Sequence, residues 1–282
     1  MLATPTPTPA HVNEVSQPKE GSFIAFLIKL ALAMVVLRAL VFSPFNIPSE
    51  SMQPRLLIGD YLIVNKMSYG WSRYSLPFSP NLFSGRIFGS LPERGDVVVF
   101  KAPPTSRDDY IKRVIGLPGD RIRMDKGVLH LNGKVIPKQR VADFVIPVTD
   151  NMRAASGAAP CYLPVFEVKD NGGNPMCRYP QYRETLPNGV SYLTLDLMDT
   201  EMDNTYVYTV PKDHVFLMGD NRDRSADSRF PAVEGGGIGI VPVDHLVGRA
   251  QFTFFSTDGS ASWLNPVSWF TATRWDRMGD GF

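Results

Sequence analysis

Residues Phe23 to Phe42 read FIAFLIKLALAMVVLRALVF. This run of 20 residues is as long as a helix needs to be to cross the hydrocarbon core of a bilayer. Its apolar residues occupy every helical face, whereas a helix lying on a membrane surface keeps one face polar. Lys29 and Arg38 interrupt the run toward opposite ends, from where long basic side chains reach back to the interface. A buried core helix and a cleaved signal sequence are the other readings of such a run. No A-x-A site closes it, and the residues that follow, VFSPFNIPSES, carry a serine motif considered below. The run is therefore read as an uncleaved anchor over residues 22–43. A disordered tail over 1–21, containing TPTPTPA, precedes it. Lys19 lies before the run and Arg55 and Lys66 follow it, so charge alone leaves the orientation undecided.

Beyond the anchor the pattern is that of short strands. The chain carries 24 prolines and 23 glycines along 282 residues, which favours turns over long helices. Gly59-Asp60 precedes YLIVN, and Gly95-Asp96 precedes VVVF. DYIKRVIG runs up to a turn at Leu117-Pro118-Gly119-Asp120, and GVLHLNGKVI reads as a hairpin turning at Asn132-Gly133. HVFLMGDN and HLVGRAQFTFF complete the set. The expected fold class is mainly β with one N-terminal transmembrane helix, the core formed by 44–137 and 209–282. Residues 138–208 are polar and turn-rich and read as an inserted subdomain.

Composition excludes several functions. A net charge of +1 leaves no electrostatic footprint for nucleic acid. The four histidines are scattered, and Cys161 and Cys177 lack the spacing of a zinc site, so neither a metal nor a cofactor is expected. A disulfide between the two cysteines is expected only where this region lies outside the cytoplasm.

Three stretches carry candidate chemistry. In Ile47-Pro48-Ser49-Glu50-Ser51-Met52-Gln53-Pro54, prolines on both sides hold two serines in an extended segment beside the membrane. In DYIKRVIGLPGD, Lys112 and Arg113 are neighbours on an apolar strand, so only one of them faces the core. A buried lysine loses hydration of its charged form and can become a neutral base, which an arginine cannot. In GDNRDRSADSR, residues 219–229, aspartates, serines and arginines can cross-link. A calcium loop there lacks the chelating spacing and closing glutamate. Taken singly, each stretch also reads as a linker, an edge strand or a solvated loop.

Together they resemble bacterial type I signal peptidases, the leader peptidases with a Ser-Lys dyad. PSESMQP, YIKRVIGLPGD and GDNRDRSADSR occur in the order of that family, with RGDVVVF and VGRA, over residues 44–120 and 211–250. The resemblance implies a signal-peptidase-like β catalytic domain and a membrane-bound serine endopeptidase. Such an enzyme removes N-terminal signal peptides from exported preproteins after a small-x-small motif. It implies a single-pass protein of the bacterial inner (cytoplasmic) membrane, with its catalytic domain on the outer (periplasmic) face. Preproteins and membrane lipids are the implied partners.

Residue by residue, the resemblance implies Ser51 as nucleophile and Lys112 as general base. Ser49 and the backbone N–H of Ser51 would form the oxyanion hole. Ser225 would orient the lysine ammonium, Asp227 and Arg229 would pair behind the site, and Asp220 would pair with Arg113. The matching substrate-lining positions are Phe45, Ile47, Pro48, Met52, Leu56, Tyr110 and Ile111, about half of which ordinary core packing would claim. Glu50 stands where many members have glycine and must face away from a developing oxyanion. The link over 230–239, with its glycine run, is longer than usual and has no phosphate-loop context. A specialised Ser-Lys processing peptidase and a catalytically inactive, membrane-tethered binding module are the competing functions. Near the end, Trp263, Trp269, Phe270 and Trp275 cluster, either at a membrane interface or as the close of the β core.

Overall fold

The computed structural model describes residues 20–156, 159–262 and 264–282. The expected tail thus lies outside the described residues up to position 19, and Trp263 lies outside them as well. Two compact units are present, one ending at Leu37 and the other running Arg38–Phe282. The apolar run forms the helix Glu20–Leu40, 21 residues and so about 32 Å long. None of its window Phe23–Leu40 is buried, as suits a helix whose solvent is lipid. A strand begins at Phe42, so Phe42 and Ser43, read as the end of the anchor, belong to the sheet.

A helix leaves its last carbonyls without partners. Here the last three, Arg38 to Leu40, find donors within their own unit, Arg38–Phe282. Ser43 Oγ donates to the Arg38 carbonyl at 3.0 Å, Lys66 Nζ to Ala39 at 3.2 Å, and Trp71 Nε1 to Leu40 at 2.7 Å. The Lys66 N–H donates to the Val41 carbonyl at 2.9 Å. Burial holds the Lys66 pKa down to about 8; Asp109 opposes that shift and Arg38 adds to it.

The main sheet has seven strands in the order Phe42–Asn46, Asp60–Asn65, Leu246–Ser256, Val97–Lys101, Asp109–Gly116, His214–Met218, Val241–Pro242. Every pairing is antiparallel. Val98 and Leu217 stand beside Lys112 and Val114, so the lysine strand is central rather than an edge. Apolar clusters cover both faces of this region. One contains Phe100, Val114 and Leu217; another contains Ile115, Leu129 and Phe216. The hairpin read at Asn132-Gly133 forms, with φ of 53° and 79° at those two residues as a type I′ turn requires.

Residues 138–208 contribute two three-stranded sheets among the described residues. One is ordered Glu167–Lys169, Pro175–Tyr179, Phe144–Pro147; the other is ordered Ser191–Leu195, Gln181–Thr185, Lys138–Arg140. Cys161 and Cys177 are joined in a disulfide with Cα atoms 5.6 Å apart, inside a cluster that also buries Ile146, Met152 and Tyr179. That cluster extends to Leu57 and Ile58, which follow the serine motif, so this segment packs on the core instead of standing off as a separate body. At the C-terminus, the short helix Pro266–Ala272 leaves Trp269 47%, Phe270 67% and Trp275 58% exposed, so these rings do not close the β core.

The disulfide closes a loop of moderate length. Replacing both cysteines with serine should lower the unfolding free energy by about 3 kcal/mol, read from urea denaturation. Thiol labelling of unreduced, denatured protein should find neither cysteine free.

Candidate active site

The serine motif leaves the first strand at Asn46 and turns back to meet the strand at Asp60. Ile47 N–H donates to the Asp60 carbonyl at 2.8 Å, and Gly59 N–H to Ile47 at 3.0 Å. Between these ties the chain does not stay extended as its prolines suggested. Gln53 N–H donates to Glu50 at 3.0 Å and Leu56 N–H to Met52 at 2.9 Å, making successive turns. Proline fixes only its own φ, near −65°, a value that turns and extended chain share.

Ser51 sits on the first of these turns and is 7% exposed. Lys112 Nζ donates to Ser51 Oγ at 2.8 Å and to the Ile111 carbonyl at 2.9 Å. Burial pushes the Lys112 pKa down to about 8, against the pull of Asp227 and Asp220, which favour its charged form. Ser49 Oγ lies 3.3 Å from Ser51 Oγ. Among the described residues nothing accepts a hydrogen bond from the Ser51 N–H, so that donor is available to a ligand.

Arg113 is as buried as Lys112, at 5% and 4% exposure, contrary to the expectation that only one of them faces the core. Alternation does turn them to opposite faces, but both faces of this central strand are covered. Arg113 makes a fork with Asp220, Nε to Oδ1 at 2.7 Å and Nη2 to Oδ2 at 2.6 Å. Burial alone would lower its pKa; the Asp220 carboxylate outweighs that and raises it. Arg229 forks onto Asp227 in the same way, at 2.9 and 3.0 Å. Burial disfavours the Asp227 carboxylate, yet the Arg229 guanidinium holds its pKa below the ordinary carboxylate value.

Ser225 is placed differently from its expected role. It is buried, but its Oγ makes no hydrogen bond, and Lys112 instead donates to Ser51 and Ile111. Its neighbour is Gly219, where an added Cβ would fall 2.3 Å from Ser225 Oγ and 2.5 Å from the Ser51 carbonyl oxygen, so only glycine fits. The third motif is also tied to the serine turn by Asn221 N–H, which donates to the Ser51 carbonyl at 3.2 Å. Glu50 faces away from the serine hydroxyls; its Oε2 accepts from Arg224 Nε at 3.1 Å and its Oε1 from Ser156 Oγ at 3.4 Å.

A cleft of about 360 Å³ opens beside the pair. Phe45, Ile47, Pro48, Tyr110 and Ile111 line it as expected, together with Ser49, Ser51 and Lys112. Met52 and Leu56 do not. Both are fully buried and pack with Leu62, Val97 and Ala250, because the turn after Ser51 directs them inward. Sequence reasoning missed Val99 and Ala226 in the lining and Glu184 and Tyr192 behind the site. Glu184 forks with Arg222 at 2.8 Å on both oxygens and accepts from Tyr192 Oη at 2.9 Å. Neither carries a local signal in the sequence, because the partner Arg222 lies in a separate stretch of the chain.

A serine hydroxyl in hydrogen-bond contact with a desolvated lysine, beside an apolar cleft, is the constellation of a serine–lysine peptidase. The family described as signal peptidase, peptidase S26, matches residues 21–255. The chain is 37% identical over 254 residues to a signal peptidase I of Rickettsia prowazekii (strain Madrid E), covering 87% of this chain and 82% of that protein. It is 36% identical over 289 aligned positions to a signal peptidase I of Rickettsia conorii (strain ATCC VR-613 / Malish 7), covering 96% and 95%. A crystal structure of a signal peptidase I from Enterococcus faecalis V583 matches at 23% identity over 57% of this chain and 97% of its own. Its TM-score of 0.28 is too low to bear on the fold. The chain belongs to the signal peptidase, peptidase S26 family. It is an enzyme of that type, a membrane-anchored peptidase that removes signal peptides from preproteins. The reading as a specialised processing enzyme or an inactive binding module is not favoured.

Proposed function

We propose that cleavage proceeds by attack of Ser51 on the scissile carbonyl of a preprotein, with Lys112 as general base. The observation that carries this reading is the 2.8 Å contact between Lys112 Nζ and Ser51 Oγ in a buried setting. As a neutral amine, Lys112 takes the hydroxyl proton while Ser51 Oγ bonds to the carbonyl carbon. The resulting oxyanion accepts hydrogen bonds from the Ser51 N–H and the Ser49 hydroxyl, each such donor contributing about 3 kcal/mol. The lysine ammonium then gives its proton to the departing amine, which is the new N-terminus of the mature protein. Breaking of the peptide C–N bond leaves the signal peptide as an ester on Ser51. Lys112 then takes a proton from water as the water oxygen bonds to the ester carbon. The Oγ–C bond breaks, Ser51 Oγ recovers the proton from the lysine ammonium, and the signal peptide departs as a carboxylic acid. Asp220 with Arg113, and Asp227 with Arg229, hold the lysine strand and third motif in place. Ser225 packs against this assembly rather than bonding to the free enzyme's lysine. The apolar cleft suits small side chains before the cleavage point.

The disulfide between Cys161 and Cys177 supports a catalytic domain outside the cytoplasm, on the periplasmic face of an inner membrane, because such bonds persist where thiols are oxidised. The exposed Trp269, Phe270 and Trp275 support lipid as a second partner.

Ser51→Ala, Lys112→Ala and Lys112→Arg should each lower precursor cleavage by about 10⁴-fold or more with circular dichroism unchanged, since nucleophile and base act as a unit. Retained activity in Lys112→Arg would sink the base assignment.

Because the base works only when neutral, kcat/KM should rise about tenfold per pH unit below the lysine pKa and level off above it. The inflection is expected near pH 8. A profile already flat from pH 6 to 9 would exclude Lys112 as the titrating group.

A truncated chain beginning at Phe42, which keeps the first strand whole, should still bind lipid vesicles. Trp269→Ser with Phe270→Ser should weaken that binding and leave cleavage of a short soluble peptide nearly unchanged. Indifference of the truncated chain to vesicles would remove the lipid assignment.

A further inference from the structure

Asp196, Asp203 and Asp223 each bring a carboxylate oxygen within 4.8 Å of the other two. Asp196 and Asp203 come from the inserted segment. Asp223 comes from the third motif, where it is the one aspartate that the proposed reaction leaves without a role. Asp196 pairs with Lys138, and no described cation forms a salt bridge with Asp203 or Asp223. Three carboxylates and one ammonium leave a formal charge of −2.

The oxygens themselves point to a missing partner. Asp203 is 4% exposed. Its Oδ2 accepts from the Thr200 N–H at 2.6 Å and the Thr200 hydroxyl at 3.2 Å, while its buried Oδ1 has no hydrogen-bond partner. Asp223 repeats the arrangement: Oδ2 accepts from the N–H groups of Leu197 and Met198 at 2.5 and 3.3 Å, and its buried Oδ1 is unsatisfied. Asp196 and Asp203 both approach Gly127, where an added Cβ would stand 2.9 Å from Asp196 Oδ2, 3.5 Å from Lys138 Nζ and 3.6 Å from Asp203 Oδ1; Lys138 occupies the Asp196 side of this gap. Buried carboxylate oxygens without partners are rare in folded proteins and costly.

The donors are all hard oxygens, which suit neither zinc nor a soft metal. Calcium takes six to eight oxygens in flexible geometry, whereas magnesium demands a near-ideal octahedron. Asp196 and Asp223 are half-buried, so water can complete the shell from outside. We propose that Asp196, Asp203 and Asp223 form a calcium site that clips the inserted segment to the third motif. Asp223 lies in the turn Arg222–Arg224, directly before Ser225, so the ion would brace the loop that backs the cleft. No linear calcium motif marks it, because the ligands come from separate parts of the chain.

The test is calorimetric titration of calcium chloride into the full-length, detergent-solubilised protein after treatment with chelator, alongside thermal unfolding. One calcium per chain is expected, with Kd on the order of 0.1–1 mM and clearly weaker binding of magnesium. Calcium should raise Tm. Asp203→Asn and, on the half-buried ligand, Asp196→Asn should each abolish both effects. Absence of binding to the wild-type protein up to about 10 mM calcium would overturn the proposal and leave a shared proton as the means of relieving the charge. Calcium binding that persists unchanged in both variants would overturn it too, since the ion would then sit elsewhere.

Discussion

Burying an ammonium without adequate partners costs several kcal/mol, and Lys112 is 4% exposed. Among the described residues its hydrogen-bond acceptors are the Ser51 hydroxyl and the Ile111 carbonyl, both uncharged. Such an environment favours the amine over the ammonium. Asp220 and Asp227 act in the opposite direction, and left unpaired they would favour the charged lysine more strongly. Arg113 and Arg229 each take one of them in a two-point fork. The ion pairs behind the site therefore do more than hold strands together. They keep the neighbouring acids from restoring the proton that burial has weakened.

The same requirement ties distant parts of the chain to one another. The third motif reaches the serine turn through Asn221 and Arg224, and the inserted segment through Arg222 and its partner Glu184. Gly219 permits the closest of these approaches, because a side chain there would collide with both Ser225 and the Ser51 carbonyl. The inserted segment thus supplies a counter-charge for the motif as well as part of the packing under the serine turn. Its contribution is structural, and it lies behind the cleft rather than in it.

Membrane anchoring adds a second constraint. The helix Glu20–Leu40 has the length and composition of a bilayer crossing, and its final carbonyls are satisfied by Ser43, Lys66 and Trp71. Those donors let the chain pass from helix to strand within two residues without leaving these acceptors unpaired.

Much of this was legible in the sequence. The apolar run, the glycine-marked turns and the alternating strands are local signals, written within a dozen residues, and the elements formed where those signals lie. Ser51, Lys112 and the third motif were recognisable because their residue types and order match a family pattern. Local pattern could not say that Met52 and Leu56 turn inward, since that depends on how the chain folds back after Ser51. It could not say that both Lys112 and Arg113 are buried, since that depends on what covers each face of a central strand. Glu184, Tyr192 and the carboxylates of Asp196 and Asp203 carried no signal of their own. Their partners lie tens of residues away, and only strand pairing brings a charge and its counter-charge within hydrogen-bond reach. The sequence by itself determined the class of elements and pointed to the proposed reacting groups, because both are signalled by neighbouring residues. The tertiary structure decided which groups are desolvated and which are paired, because burial and Coulomb interaction depend on separation in space.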